Sequence, residues 1–378
     1  MNKDVSPFKI LLVQLFSNGD CLYATTVARQ IKNDFPGCHL TWAIASSCKK
    51  IISGNPHVDD TLEIDEVKKN DVHAFRELKK KLFIQKKNGL WQEVFITHIM
   101  DDNQANYDGC IRSAIFRGYP RKITVDSTPV ISLSDIEKQK AAEFAQKHSI
   151  SKYKSIILFE FAPQSGQLAI SKKSAIQIAE KITENSEVAI ILSSAQTISH
   201  SKENIIDGSS LTLRETAALS FYCTHLIGCS SGITWLTTSD GAKMLPMIQI
   251  LNPYTDWVNP ISRDFIRRGQ STEKIIELID FNEQLICECV AESLINFSAA
   301  RKKYTQQVPL QFKTTRKIIY NLLCYLQFRA IAKHIRINLQ VYGFNSKFFT
   351  EVLIGLVTFP FKLIKNLFTK RIASAYNK

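Results

Sequence analysis

The sequence has no Cys-x-x-Cys pair, although it holds nine cysteines, and none of its histidines stands at metal-ligand spacing from another. Cys287 and Cys289 alone are too few for a zinc site. An odd, scattered set of thiols reads as reduced side chains, buried as small hydrophobes in a cytosolic protein. No signal-peptide pattern opens the chain. There is no short-period repeat, no low-complexity linker and no Asp-x-Asp element at a strand end. The uncharged, strongly apolar run at residues 352–361 falls short of the ~20 residues a spanning helix needs. Acids are nearly missing from the end of the chain. Residues 301–378 hold 15 Lys and Arg against one acid, Glu351, a net of +14, whereas the rest of the chain stands at −1. A neutral body with a basic tail points to a tail that meets an anionic surface, not to a body that wraps nucleic acid.

What is present is a 378-residue chain, 45% apolar, long enough for two domains and a tail. Its first half alternates strand-like and helix-like segments. Residues 10–15 form an almost wholly apolar run, as a parallel strand covered on both faces requires. Ser17-Asn18-Gly19-Asp20 breaks it, and a helical pattern runs on to Pro36-Gly37. Strands are expected at 38–44, 61–64 and 92–98, and helices at 71–87, across "QANYDGCIRSAIF" and at 135–149. A second series starts at Ser155, with strands at 155–161, 187–193, 224–229 and 245–252 and helices at 172–182 and 211–223. Two such series predict two doubly wound α/β domains with a cleft between them: residues 1–150, residues 151–300, and a tail of 301–378.

The ordered set "SNGD" after the first strand, "DFPGCHLTWAI", "GNPHVDDTLEID", "LTLRETAALSFYCTHLIGCSSGITWL" and "LPMIQILNP" resembles glycosyltransferase family 9, the ADP-heptose:lipopolysaccharide heptosyltransferases and their relatives. The resemblance covers residues 8 to about 260. It implies the GT-B fold: two Rossmann-like domains, the acceptor side in the first and the nucleotide-sugar site in the second. It also implies an inverting, metal-independent transferase without a cofactor, moving heptose or another sugar onto a lipid-linked glycan such as lipopolysaccharide core.

The resemblance implies that Asp20 is the general base, which an inverting transferase needs to deprotonate the acceptor hydroxyl. Ser17, Asn18 and Gly19 then line the acceptor side. Asp20 read on its own could equally cap the helix that begins there. The donor diphosphate is expected at "GCSSGITWL", on Ser230, Ser231, Gly232, Ile233 and Thr234, where a strand runs through small residues into a helix N-terminus. Gln164 and Ser165, at the matching strand end, are the next candidates. The family commonly has Asp where this chain has Ser230 and His where it has Trp235, so the donor stays open. Asn252-Pro253-Tyr254 is a weaker donor candidate. Asp101-Asp102 is the carboxylate pair best placed for a metal or sugar hydroxyls, with solvated loop acids as the plainer expectation. Trp42 and Trp91 read as packing residues. The alternatives are a sugar-nucleotide epimerase on the same fold and a non-catalytic member that binds a nucleotide sugar or glycan.

In the tail, Ile318, Leu322, Leu326 and Ala330 recur every four residues among Arg316, Lys317, Arg329, Lys333 and Arg336. A second apolar set runs from Phe348 to Phe368 and is closed by Lys370-Arg371. Two basic amphipathic helices with aromatic anchors would lie on an anionic membrane, here the inner face of a bacterial inner membrane. The alternative is a helix pair packed on the second domain. On the membrane reading, residues 311–378 are separable from a soluble body.

Overall fold

Alternation along the strands decides the layering. In β1 (Lys9–Val13), Ile10 and Leu12 join one apolar layer, and Leu11 and Val13 the opposite one. The computed structural model describes residues 7–162, 168, 170–255, 260–279 and 281–376, with the side chains of 362 and 364–376 left aside. The first sheet adds β2 (His39–Ile44), β3 (Asp60–Glu63) and β4 (Glu93–Ile96), parallel in the order β3-β2-β1-β4. Its helices are α1 (Asn18–Asp34), α2 (Ser46–Lys49), α3 (Val72–Lys87) and α4 (Ile111–Phe116).

After α5 (Asp135–Lys147), a second parallel sheet is built from β5 (Ser155–Glu160), β6 (Val188–Ser193), β7 (Ile205–Asp207), β8 (His225–Gly228), β9 (Met247–Ile250) and β10 (Ile275–Leu278). Its order is β10-β9-β8-β5-β6-β7. The helices are α6 (Lys172–Ile182), α7 (Leu213–Leu219), α8 (Gly232–Leu236), α9 (Ile261–Arg267), α10 (Glu283–Ile295) and α11 (Phe297–Tyr304). Ile157 and Phe159 face one apolar layer with α6 and α10, and Ile156 and Leu158 face the other.

That other layer is shared. One continuous cluster runs from Ile10 and Leu12 of the first sheet, through Tyr23, Ile115 and Trp235, to Leu158, Ile191 and Leu226 of the second. The sequence reading anticipated the two β/α series and missed β7 and β10, which are three and four residues long. Of the helix expected across "QANYDGCIRSAIF", only α4 forms. A 3-10 segment, Asp101–Asn106, precedes it. Trp42 is fully buried and donates to the Gln14 carbonyl at 3.0 Å, and Trp91 is half-buried against the layer under α3.

The last helices are α12 (Lys313–Cys324), α13 (Phe328–Tyr342) and α14 (Ser346–Tyr376). Two expectations are corrected here. The tail forms three helices, and the apolar faces of α12 and α13 pack on the first half, with Tyr342 of α13 also accepting from Arg267 of α9 at 2.6 Å. Ile318, Ile319, Leu322, Ala330 and Ile331 close over Ala105, Tyr107 and Ala114. Polar contacts pin the same seam: Asn338 donates to the Tyr107 carbonyl at 3.3 Å, and the Tyr342 hydroxyl to the Asp108 carbonyl at 2.6 Å. Of the stripe that recurs every four residues, Ile318, Leu322 and Ala330 thus cover protein, while Leu326, between α12 and α13, is exposed.

Asp101 is corrected too. It is buried, not a solvated loop acid, and receives Lys79 at 3.2 Å and the Gln327 amide at 2.5 Å. Asp102 is half-buried and shares Lys79.

Candidate active site

Three residues separate the end of β1 from the turn. Gln14 and Leu15 still follow β2, through Gln14 N–H to the Ala43 carbonyl at 3.2 Å and Ala45 N–H to the Leu15 carbonyl at 3.0 Å. The chain then bends at Ser17, whose φ of +69° lies in the left-handed region that non-glycine residues rarely enter. Such strain concentrates at functional turns. The Ser17 carbonyl accepts the first α1 bond, from Cys21 N–H at 2.9 Å. Ser17 therefore holds the N-cap position, and its side chain makes no capping bond.

Asp20 is the third residue of α1, not its cap. The contrast with α3 is direct: Asp71 caps that helix by accepting the Ala74 N–H at 2.9 Å. The Asp20 carboxylate accepts no hydrogen bond among the described residues. Burial pushes its carboxyl from 3.8 up to about 7, and the Lys69 charge nearby pulls the other way. A helix N-terminus also favours the ionised form, so desolvation wins against two opposing influences. Asn18 and Gly19 flank it, both half-buried. Behind the turn, Gln14 bridges the His98 ring (3.1 Å) and the Thr97 hydroxyl (3.1 Å). Cys48 lies beside the same turn, and its hydrogen bond with Cys21 pulls its thiol down to about 7.

The second turn differs from what the sequence suggests. Glu160, the last residue of β5, is buried and reaches the start of α8. It accepts the Ile233 N–H at 3.1 Å, the Thr234 N–H at 3.3 Å and the Thr234 hydroxyl at 3.1 Å. The backbone donors assigned to a diphosphate at Ile233 and Thr234 are therefore held by an internal carboxylate. The start of this five-residue helix already faces the Glu160 carboxyl group, which burial pushes up and these donors pull back down. Gly232 stands against the same group, since a Cβ there would lie 3.9 Å from the Glu160 carboxylate. Ser230 has φ +52°, and its N–H donates to Gln249 at 2.7 Å; Ser230 and Ser231 are both buried. Gln164 and Ser165 lie outside the described residues. Tyr254 is largely exposed.

The structure brings the two turns together. Tyr23, one helical turn beyond Asp20 on α1, meets Trp235 of α8 edge-on at 5.1 Å. The Arg112 guanidinium lies over both rings, 4.8 Å from Tyr23 and 5.3 Å from Trp235, and pairs with Asp264 of α9 at 3.1 Å with both charges fully buried. Trp235, at the position where the family commonly has His, is thus a seam residue between the halves. Sequence reasoning missed Lys69, Cys48 and Glu160. Only Glu160 left a trace, as an acid closing the apolar run "SIILFE".

No family model and no curated protein matches the chain. Among solved structures, a family 9 glycosyltransferase from Veillonella parvula DSM 2008 superposes with a TM-score of 0.50 at 14% identity, covering 78% of this chain and 94% of that one. The fold is GT-B. An ADP-heptose lipopolysaccharide heptosyltransferase II from E. coli superposes with a TM-score of 0.49 at 14% identity, over 76% of this chain and 99% of that one. In GT-B terms, Asp20 sits at the carboxyl edge of the first Rossmann-like sheet and Gly232 at that of the second.

Proposed function

We propose that the protein is an inverting glycosyltransferase with Asp20 as its general base. The acceptor is a hydroxyl of a lipid-linked glycan such as lipopolysaccharide core, made on the cytoplasmic leaflet. The donor is a nucleotide sugar, ADP-heptose or another. Asp20 takes the hydroxyl proton as the acceptor oxygen bonds to the anomeric carbon. The bond from that carbon to the diphosphate oxygen breaks on the opposite face, and the nucleoside diphosphate leaves with the electron pair.

The observation that carries this reading is a carboxylate raised to about 7, without a hydrogen-bond partner among the described residues, at a strained turn on the carboxyl edge of a parallel sheet. A base poised near the working pH combines availability with driving force. Capping, the plainer role for Asp20, is taken by the Ser17 position. The resemblance of the sequence and the GT-B fold support the reaction class. Asp20→Asn is nearly isosteric and cannot take a proton. Turnover of a nucleotide-sugar panel with membrane extract is expected to fall ~10²–10⁴-fold, with donor binding kept. Wild-type turnover in the variant overturns the assignment.

Glu160 favours a second reading, a member that binds a nucleotide sugar or glycan without turning it over. A carboxylate already fills the turn where the donor diphosphate was expected. The same panel separates the readings: sugar transferred to lipid supports the first, and binding without product supports the second.

A further inference from the structure

The sequence alone assigned the whole of residues 311–378 to a membrane, and the packing of α12 and α13 removes them from that role. We infer that α14 alone forms the contact, lying flat on a bilayer that contains anionic phospholipid.

α14 has two faces of different fate. Phe348 and Val352 are buried against Phe312. Gly355 approaches Ile319 so closely that a Cβ would come within 3.0 Å of it, and Phe359 packs on Tyr320 at 5.8 Å. These positions, three or four residues apart, hold α14 to α12. The other face carries Leu353 (60% exposed), Val357 (65%) and Phe361 (72%), again one turn apart, with Phe344 (83%) just ahead of the helix. Scattered apolar residues at a surface are ordinary, but a continuous stripe along one helix is not. Among the described residues nothing covers it.

Charge selects the occupant. The one acid of α14, Glu351, is turned inward and held by both arms of Arg316, at 2.5 and 2.8 Å. Along the helix the sequence adds Lys347, Lys362, Lys365, Lys370 and Arg371. A second copy would bring two such basic helices together, and like charges oppose that. An anionic bilayer satisfies both features at once: apolar side chains enter the headgroup region and cations meet lipid phosphates. No described helix is long and apolar enough to cross a membrane. A groove of about 590 Å³ between the 307–310 segment and the head of α14, lined by Leu310, Phe344 and Lys347, adds apolar surface and a cation beside the same face.

The placement matters for the rest of the molecule. α14 is fixed to α12, and α12 to the segment that follows β4, the strand beside β1. A bilayer under α14 therefore lies on the half that carries Asp20. The contact itself does not depend on what Asp20 does.

The test uses the full chain and vesicles of phosphatidylcholine with and without phosphatidylglycerol. The wild type is expected to sediment with the anionic vesicles only, and to be released by salt. Leu353→Glu, Val357→Glu and Phe361→Glu together should weaken binding by about tenfold or more, with unchanged circular dichroism and melting because all three are exposed. Light scattering is read on both proteins without lipid, and both should be monomeric. Equal binding of wild type and variant overturns the inference, as does absence of binding to either vesicle. A wild-type dimer that the triple variant dissociates, without vesicle binding, overturns it in favour of a second copy. Turnover on a water-soluble acceptor should be the same in both proteins, so loss of lipid binding is read separately from loss of transfer.

Discussion

At the scale of single residues, Asp20 and Asp71 show how position decides the role of one side chain. Both stand near a helix start. Asp71 occupies the cap and is satisfied by a backbone N–H, while Asp20 sits inside the first turn, accepts no hydrogen bond among the described residues and feels the nearby charge of Lys69. Two outcomes follow for Asp20. As a base it must be ionised, so kcat/KM should rise through a midpoint near pH 7 and fall about tenfold per unit on the acid side; a pH–rate profile checks this, and the Asp20→Asn remnant should lack that limb. Stability runs the opposite way. The folded carboxyl holds its proton up to about 7, whereas the unfolded one releases it near 3.8. Between those values folding takes up a proton, so this contribution is full at low pH and lost as pH rises through 7. Asp20→Asn should therefore melt higher than the wild type at pH 8, and the two should converge toward pH 4. The sequence made Asp20 visible through its turn and its family likeness. It could not show the burial that lifts the carboxyl, nor the opposing pull of Lys69 and the push of Cys48, which act on it from later segments. Glu160 was hidden for the same reason: its partners, Ile233 and Thr234, are more than 70 residues away.

At the scale of elements, most strands of both sheets were legible because their apolar runs are bounded by turn residues; β7 was not because three residues carry too little pattern, and β10 was not because Glu277 interrupts its apolar run. The C-terminal helices show a different limit. An amphipathic stripe flanked by cations reads the same whether it faces lipid or protein. The stripe of α12 and α13 meets Ala105, Tyr107 and Ala114, and that of α14 is half free. Deleting 311–378 should uncover the first of these surfaces and leave Asp101 with two cations and no Gln327. The truncated chain is expected to aggregate or to melt well below the full chain, measured by light scattering and calorimetry. A soluble body of unchanged melting temperature would mean that α12 and α13 contribute no core.

At the scale of the whole molecule, the apolar layer shared by the two sheets makes separate unfolding of the halves costly. Calorimetry should record one transition rather than two, since neither half can melt without stripping the layer that the other needs. The Arg112–Asp264 pair lies in this seam, and removing one member leaves a buried charge alone. Asp264→Ala should cost about 3–5 kcal/mol of stability, seen as a lower denaturant midpoint for the same single transition. The chain crosses the seam twice, between α4 and α5 and again between α11 and α12, where it returns to the first half. A body tied to another at one point can swivel in any direction; tied at two, it turns only about the line through them. Any opening between the turn of Asp20 and the turn of Gly232 is then the swing of a door on two pins, with one degree of freedom. Since α12 fixes α14 to the first half, a bilayer would hold the frame still and leave the second half as the leaf that moves.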